Sequence, residues 1–206
     1  MFRFNPKITE AIDKIKSGEL GEIFSVEAQM SCKQTDEVRK WLDTFRGGMM
    51  FYLGCHLIDL IYQIQGEPLE IIPMNCKTGL AEINTEDYGM AVFKYKNGIS
   101  FARTNGCERG GNQRRQLTVC GEKGTIEVRP LEIYIFENGL QYTVMNETYS
   151  EGWHDPWITT KSDQHDRYDG MMKNFAEMVR GKENPFTYDY ELNLYKLILR
   201  ACGITL

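Results

Sequence analysis

No Gly-x-Gly-x-x-Gly follows a strand in this sequence, and no P-loop occurs. The glycine pairs Gly110-Gly111 and Gly121/Gly124 sit among β-hairpin patterns, the wrong context for a dinucleotide fingerprint. The chain therefore carries no evident nucleotide cradle, and no cofactor-binding residue is assigned. Gly-x-Ser-x-Gly and His-Glu-x-x-His are also absent, which removes the common hydrolase elbow and zinc-protease motifs. The six cysteines, Cys32, Cys55, Cys76, Cys107, Cys120 and Cys202, form no Cys-x-x-Cys pair. They read as reduced thiols of a cytoplasmic protein rather than as a disulfide framework. Basic runs are limited to Arg114-Arg115, too short to suggest a nucleic-acid partner. The longest apolar stretch, 49–64, is interrupted by His56, Asp59 and Gln63, so no membrane span is expected. The start, Met1-Phe2-Arg3-Phe4-Asn5-Pro6, lacks the shape of a signal peptide.

What remains is ordinary globular material. A chain of 206 residues, 42% hydrophobic and 26% charged with net charge −5, can bury a real core in a single domain over 1–206.

The stretch from Gly47-Gly48 to Gly66-Glu67-Pro68 organises the rest. Met50, Leu53, Leu57, Leu60, Ile61 and Ile64 recur at helical steps and make one apolar face. Gly48, Tyr52, His56, Asp59 and Gln63 recur on another. The paired glycines let the backbone turn tightly or approach a ligand, and Gly66 with Pro68 stops the helix. A His beside a carboxylate is a proton-transfer group suited to neutral pH. The same pattern also describes a half-buried His hydrogen-bonded at a helix surface.

Asn5-Pro6 opens a first helix with Ile8, Ala11, Ile12 and Ile15 inward. Alternation over 22–31 predicts a strand. Residues 32–46 have no clean period and read as a polar loop holding Trp41, either over a binding site or at the surface. Residues 69–78 read as a strand, with Pro73 pointing to an edge or a bulge. Three hairpins follow, turning at Asn97-Gly98, at Gly121–Gly124 and at Asn138-Gly139. Residues 149–167 read as loop, with Trp153, His154, Asp155, Pro156, Trp157, His165 and Asp166; their spacings match no common zinc pattern, and no metal site is assigned. Helices are predicted over 168–180 and 189–202. The first has Tyr168, Met171, Met172, Phe175, Met178 and Val179 inward; the second has Leu192, Tyr195, Ile198, Leu199 and Cys202 inward. The fold class is α+β, an open, mainly antiparallel sheet with helices on one face.

Taken in order, Arg3-Phe4-Asn5-Pro6, Ser17-Gly18-Glu19-Leu20-Gly21-Glu22-Ile23, Gly47-Gly48 with Gly54-x-His56-x-x-Asp59, and Gly121-Glu122-Lys123-Gly124-Thr125 resemble the glucose–fructose oxidoreductase/inositol dehydrogenase family. The resemblance covers only the carboxy-terminal part of such enzymes, which begin with a Rossmann domain and a catalytic Lys in Glu-Lys-Pro. It implies a substrate-binding and oligomerisation domain of a NAD(P)-dependent oxidoreductase acting on a sugar or polyol. NAD or NADP is implied for the intact enzyme, and the isolated chain is expected to be inactive. By resemblance His56 is the catalytic residue, with Arg3, Trp41, Tyr52 and Asp59 shaping the substrate pocket. Tyr52 stands where the family often has Asp, and a phenol is a poor substitute for a carboxylate at an imidazole. A stand-alone binding or scaffold module of the same fold is the alternative.

The sheet is expected to have a second, partly apolar face: Ile99 and Phe101 in one hairpin, and part of 131–145 in another. With the helices on the opposite side, that face predicts a homo-oligomer.

Overall fold

The computed structural model describes residues 2–129, 131 and 168–205, and the backbone of four strands between 134 and 160. Asn5 caps the first helix, α1 (Pro6–Lys16), by accepting from the amides of Lys7 and Ile8. Its Ile8, Ala11, Ile12 and Ile15 are buried, as the spacing predicts. Strand β1 (Ile23–Ser31) follows.

The segment expected to be a polar loop contains a helix, α2 (Asp36–Leu42), capped by Thr35. Its buried side is Arg39 and Leu42, too short a stretch to show a period. A π-helical turn over Met50–Gly54 leads into α3 (Cys55–Gln65). The edge strand β2 (Glu70–Pro73), the hairpin β3 (Tyr88–Tyr95) and β4 (Gly98–Asn105), and the hairpin β5 (Gln116–Gly121) and β6 (Gly124–Val128) come next.

Strands β7 (Tyr134–Glu137) and β8 (Leu140–Thr143) pair with each other, so the third hairpin forms. Its side chains, and Asn138-Gly139, lie outside the described residues. The expected loop at 149–167 holds two strands instead, β9 (Thr148–Gly152) and β10 (Asp155–Thr160). Their sequence lacks clean alternation, and pairing within the sheet supplies what local pattern does not. Trp153, His154, His165 and Asp166 lie outside the described residues. Helices α4 (Asp169–Val179) and α5 (Tyr188–Ala201) close the chain.

The main sheet runs β2-β3-β4-β1-β5-β6-β10-β9. It is mainly antiparallel, with parallel pairings at β1/β4 and β6/β10. Its inner face carries Val26, Ala28, Met30, Ala91, Phe93, Ala102, Leu117 and Val119, all buried in one core with Leu57, Ile58, Leu60 and Ile61 of α3. Its other face is apolar at the β2–β4 end, where Ile72 and Ile99 are exposed and Met90, Val92 and Phe101 half-buried. Toward β1 and β5 it turns polar, with Ser25, Glu27, Gln29 and Thr118.

Two helices depart from their expected inward stripes. No residue of α4 is buried, and Tyr168, Met172, Phe175 and Val179 are exposed. In α5 the buried residues are Leu194, Leu197, Ile198 and Ala201, whereas Leu192 and Tyr195 are exposed. Apolar spacing marks an apolar face but does not say that this chain covers it. Among the described residues, no helix is long and apolar enough to cross a membrane.

Candidate functional site

Gly47 and Gly48 both have positive φ, at 96° and 45°. A Cβ on Gly48 would lie 2.2 Å from the Glu86 carbonyl oxygen. The Met49 amide donates to that same oxygen at 2.8 Å. The glycine pair therefore serves a close approach of chain to chain. With Glu86 filling the space over Gly48, this helix start offers no open backbone for a pyrophosphate to approach.

The π turn beginning at Met50 was not legible in the spacing. Gly54 makes room for the Met50 sulfur, which lies 2.3 Å from where a Cβ would sit. An extra residue in a helical turn rotates the rest of the helix by about 100° and often marks a functional site. Tyr52 lies in this turn and His56 just past it. Leu53, Leu57 and Leu60 are buried, while Tyr52, His56 and Gln63 are half-exposed. Asp59 departs from that stripe and is only 7% exposed.

Its burial is matched by partners. Arg3 donates from Nε to Asp59 Oδ2 at 2.7 Å and from Nη2 to Oδ1 at 2.9 Å. Tyr190 Oη donates to Oδ1 at 2.7 Å and Gln63 Nε2 to Oδ2 at 3.2 Å. The guanidinium also reaches Glu191, and its Cζ sits 4.1 Å from the Phe186 ring centroid. Burial works against the Arg3 charge, but hydrogen bonds to Glu191 and Asp59 outweigh it and hold its pKa above the ordinary value. Burial, then the nearby Asp59 charge, pushes the Tyr190 phenol up, so it remains a neutral donor.

Four of the five residues singled out from sequence form two pairs, each with one member on the helical run from Met50 to Gln65. Arg3 and Asp59 form a bidentate pair at one end. Trp41 and Tyr52 meet edge to face at the other, with centroids 5.7 Å apart. His56 stands between them in the chain and meets the Phe2 ring edge-on at 5.9 Å. The neighbouring Cys55 thiol is pushed up to about 11 by burial, so it is protonated at neutral pH and unsuited as a nucleophile. Tyr190, Glu191 and Phe186 were missed because they arrive from the far end of the chain, and no local pattern marks them. Among the described residues, no group of three His, Cys, Asp or Glu is placed to hold a metal.

A groove of about 620 Å³ opens beside Arg3 and Gln63, between α1 and α4, lined also by Thr9, Asp13, Lys173 and Phe186. Gly170 lets α4 pack there: a Cβ on it would lie 2.5 Å from the Phe4 carbonyl oxygen.

No curated protein matches this chain at the sequence level. Solved structures do share its fold. A protein from Thermotoga maritima, provisionally assigned as an oxidoreductase, superposes with a TM-score of 0.71 at 18% identity, over 98% of this chain and 59% of its own. The WlbA dehydrogenase from Bordetella pertussis, in complex with NADH and UDP-GlcNAcA, gives 0.64 at 17% identity, over 95% and 57%. GenD2 from gentamicin A biosynthesis, in complex with NAD, gives 0.66 at 18% identity, over 98% and 60%. The chain therefore spans under two thirds of the length of these structures. The family model for the GFO/IDH/MocA C-terminal domain matches residues 8–127, more than half of the chain, and the chain belongs to that family.

Proposed function

We propose that this chain is the substrate-side domain of a NAD(P)-dependent oxidoreductase acting on a sugar or polyol. The observation that carries the reading is the Arg3–Asp59–Tyr190 network, which fixes the α3 flank that presents His56 one turn earlier. An imidazole on a half-exposed, rigidly held flank is suited to bind a hydroxyl or carbonyl oxygen and to give or take its proton. Tyr52, four residues before His56, pairs with Trp41 as an aromatic element, and Asp59, three residues after it, pairs with Arg3 as a fixed polar one. Sugars are held by such pairings of a ring face with fixed donors and acceptors.

The nicotinamide would supply hydride chemistry in the intact enzyme and would belong to a separate Rossmann domain, as the missing dinucleotide fingerprint in this sequence suggests. The relatives whose structures hold NADH or NAD are longer than this chain, which supports that division. Alone, the chain is inactive. The free cysteines fit a reducing, cytoplasmic setting. A second reading, a non-catalytic binding module of the same fold, is favoured by Tyr52, which packs on Trp41 and leaves His56 without the family's carboxylate at that position.

Supplying a nucleotide-binding partner in trans decides between them. On the first reading the pair oxidises a sugar or polyol with NAD(P), and His56→Ala lowers kcat by at least ~100-fold, the range for losing a general acid–base. Turnover unaffected by His56→Ala, or a pair that binds sugar and never turns over, favours the module.

A further inference from the structure

A second cleft, of about 380 Å³, separates the start of the helical run that carries Tyr52 and His56 from the end of α5. Gly47 and Gly48 line it on one side, Cys202 and Gly203 on the other. The two sides are close: a Cβ on Gly47 would lie 2.8 Å from the Cys202 sulfur. The helix ends bring opposite partial charges, positive where the run opens at Gly48 and negative where α5 closes. The side chains repeat that division. Arg46 adjoins the positive end. The Glu86 carboxylate acts on the α5 side, where burial and then its charge push the Cys202 thiol up. Exposed Asp43 and Lys77 add one more charge of each sign. Lys77 donates to the Asn84 amide oxygen at 3.1 Å. Among the described residues, none of these four charged groups is in an ion pair, although both signs share one cleft. Thr85 lines the cleft too and is only 1% exposed, and among the described residues its hydroxyl has no hydrogen-bond partner. A buried hydroxyl is rarely left unpaired in a folded protein.

We propose that this cleft binds a small zwitterion, an α-amino acid, at a site separate from the His56 flank. The ligand carboxylate lies toward Arg46 and the Thr85 hydroxyl, and its ammonium toward Glu86 at the end of α5. A carboxylate alone would also face Glu86 and Asp43, and an amine alone would face Arg46 and Lys77. A ligand bearing both signs matches all four. The backbone at Gly48 is closed by Glu86, so side chains rather than bare amides hold the ligand. The volume is near the lower end for ligand sites, which suits an amino acid better than a nucleotide. Neither Tyr52 nor His56 lines the cleft, so the inference stands apart from the function proposed above.

The test follows amide chemical shifts of the isotope-labelled full chain during titration with L-alanine, L-serine and L-glutamate. Propionate and ethylamine, the two halves of L-alanine, serve as controls. The proposal expects at least one amino acid to bind with a Kd below about 10 mM, its shifts gathering at 43–48, 85–86 and 202–204. Propionate and ethylamine should each bind at least ~10-fold more weakly than that amino acid. Arg46→Gln and, independently, Glu86→Gln should weaken it at least ~10-fold, as for losing a charged hydrogen bond, while the melting curve stays cooperative. No saturable response to any of the three overturns the proposal, as do shifts that gather elsewhere. Propionate or ethylamine binding as tightly as the amino acid, or unchanged affinity in either variant, overturns it equally.

Discussion

Arg3 grips Asp59 across 56 residues of sequence with two parallel hydrogen bonds, at 2.7 and 2.9 Å. The pair ties the start of the chain to α3 while Tyr190 and Glu191 tie in α5. Both side chains are mostly buried, 16% and 10% exposed, so removing one leaves the other unmatched. Asp59→Ala should destabilise the chain by about 3–5 kcal/mol, the scale for breaking a buried pair. Arg3→Lys should lose less, about 1–2 kcal/mol, because a point charge cannot make the fork. Urea denaturation of the three proteins checks the order; equal stabilities would mean the pair contributes nothing to holding α3.

Gly48 has φ of 45° and no room for a Cβ, which would lie 2.2 Å from the Glu86 carbonyl oxygen. Gly18 has φ of 83° but open space around it. Gly48→Ala should therefore combine backbone strain with a clash and destabilise by at least ~3 kcal/mol, against about 1 kcal/mol for Gly18→Ala. Thermal melts of both variants test whether the clash or the dihedral dominates.

These two sites show where sequence reading reached and where it stopped. Helix α1 was legible because its cap, its Pro6 and its inward isoleucines all agree. The hairpin of β3 and β4 was legible from alternating segments around a turn signal, although the chain turns at Lys96-Asn97, with Gly98 already paired to Tyr95. The His-bearing helix was legible, but its π turn was not, since i→i+5 bonding leaves no periodic mark over a single turn. Arg39 reads as part of a polar loop, yet it and Asp87 are 1% and 0% exposed, because burial of a matched pair is decided by two distant segments meeting. The stripes of α4 and α5 were seen as apolar, yet much of that apolar surface faces outward, since amphipathicity does not name the partner.

The buried Asp87 gives a pH dependence with a definite sign. Burial alone would raise its pKa, but hydrogen bonds from the Thr78 amide, Arg39 and the Thr78 hydroxyl together hold it below the ordinary carboxylate value. A depressed folded-state pKa means the contribution is fully present above the unfolded pKa of ~4 and is lost as pH falls through the lower folded value. Wild type should lose stability in that acid window. Asp87→Asn should be weaker at pH 7 by about 3–5 kcal/mol, and its deficit should shrink as pH falls below 4. A deficit that stays constant from pH 7 to pH 3 would show that the Asp87 charge is not what stabilises the site.

The apolar end of the outer sheet face supports self-association. Ile99 is 59% and Ile72 44% exposed, beside half-buried Phe101 and Val92. Light scattering coupled to size exclusion at micromolar concentration should give at least twice 23.9 kDa for the wild type. Ile99→Arg should shift it toward the monomer, since an unpaired charge at a packed sheet face is strongly disfavoured. A monomer across a hundredfold concentration range would mean this face is left wet.

The central claim is that the His56 flank of α3 receives a sugar or polyol while the nicotinamide is held elsewhere. Amide chemical shifts of the isotope-labelled 206-residue chain, followed during titration with UDP-GlcNAcA, myo-inositol and NADH, address both halves at once. The account predicts that a sugar or polyol moves residues 2–4 and 52–63, and that NADH produces no saturable response. A saturable low-micromolar NADH site, or sugar-induced shifts that gather away from His56, would contradict it.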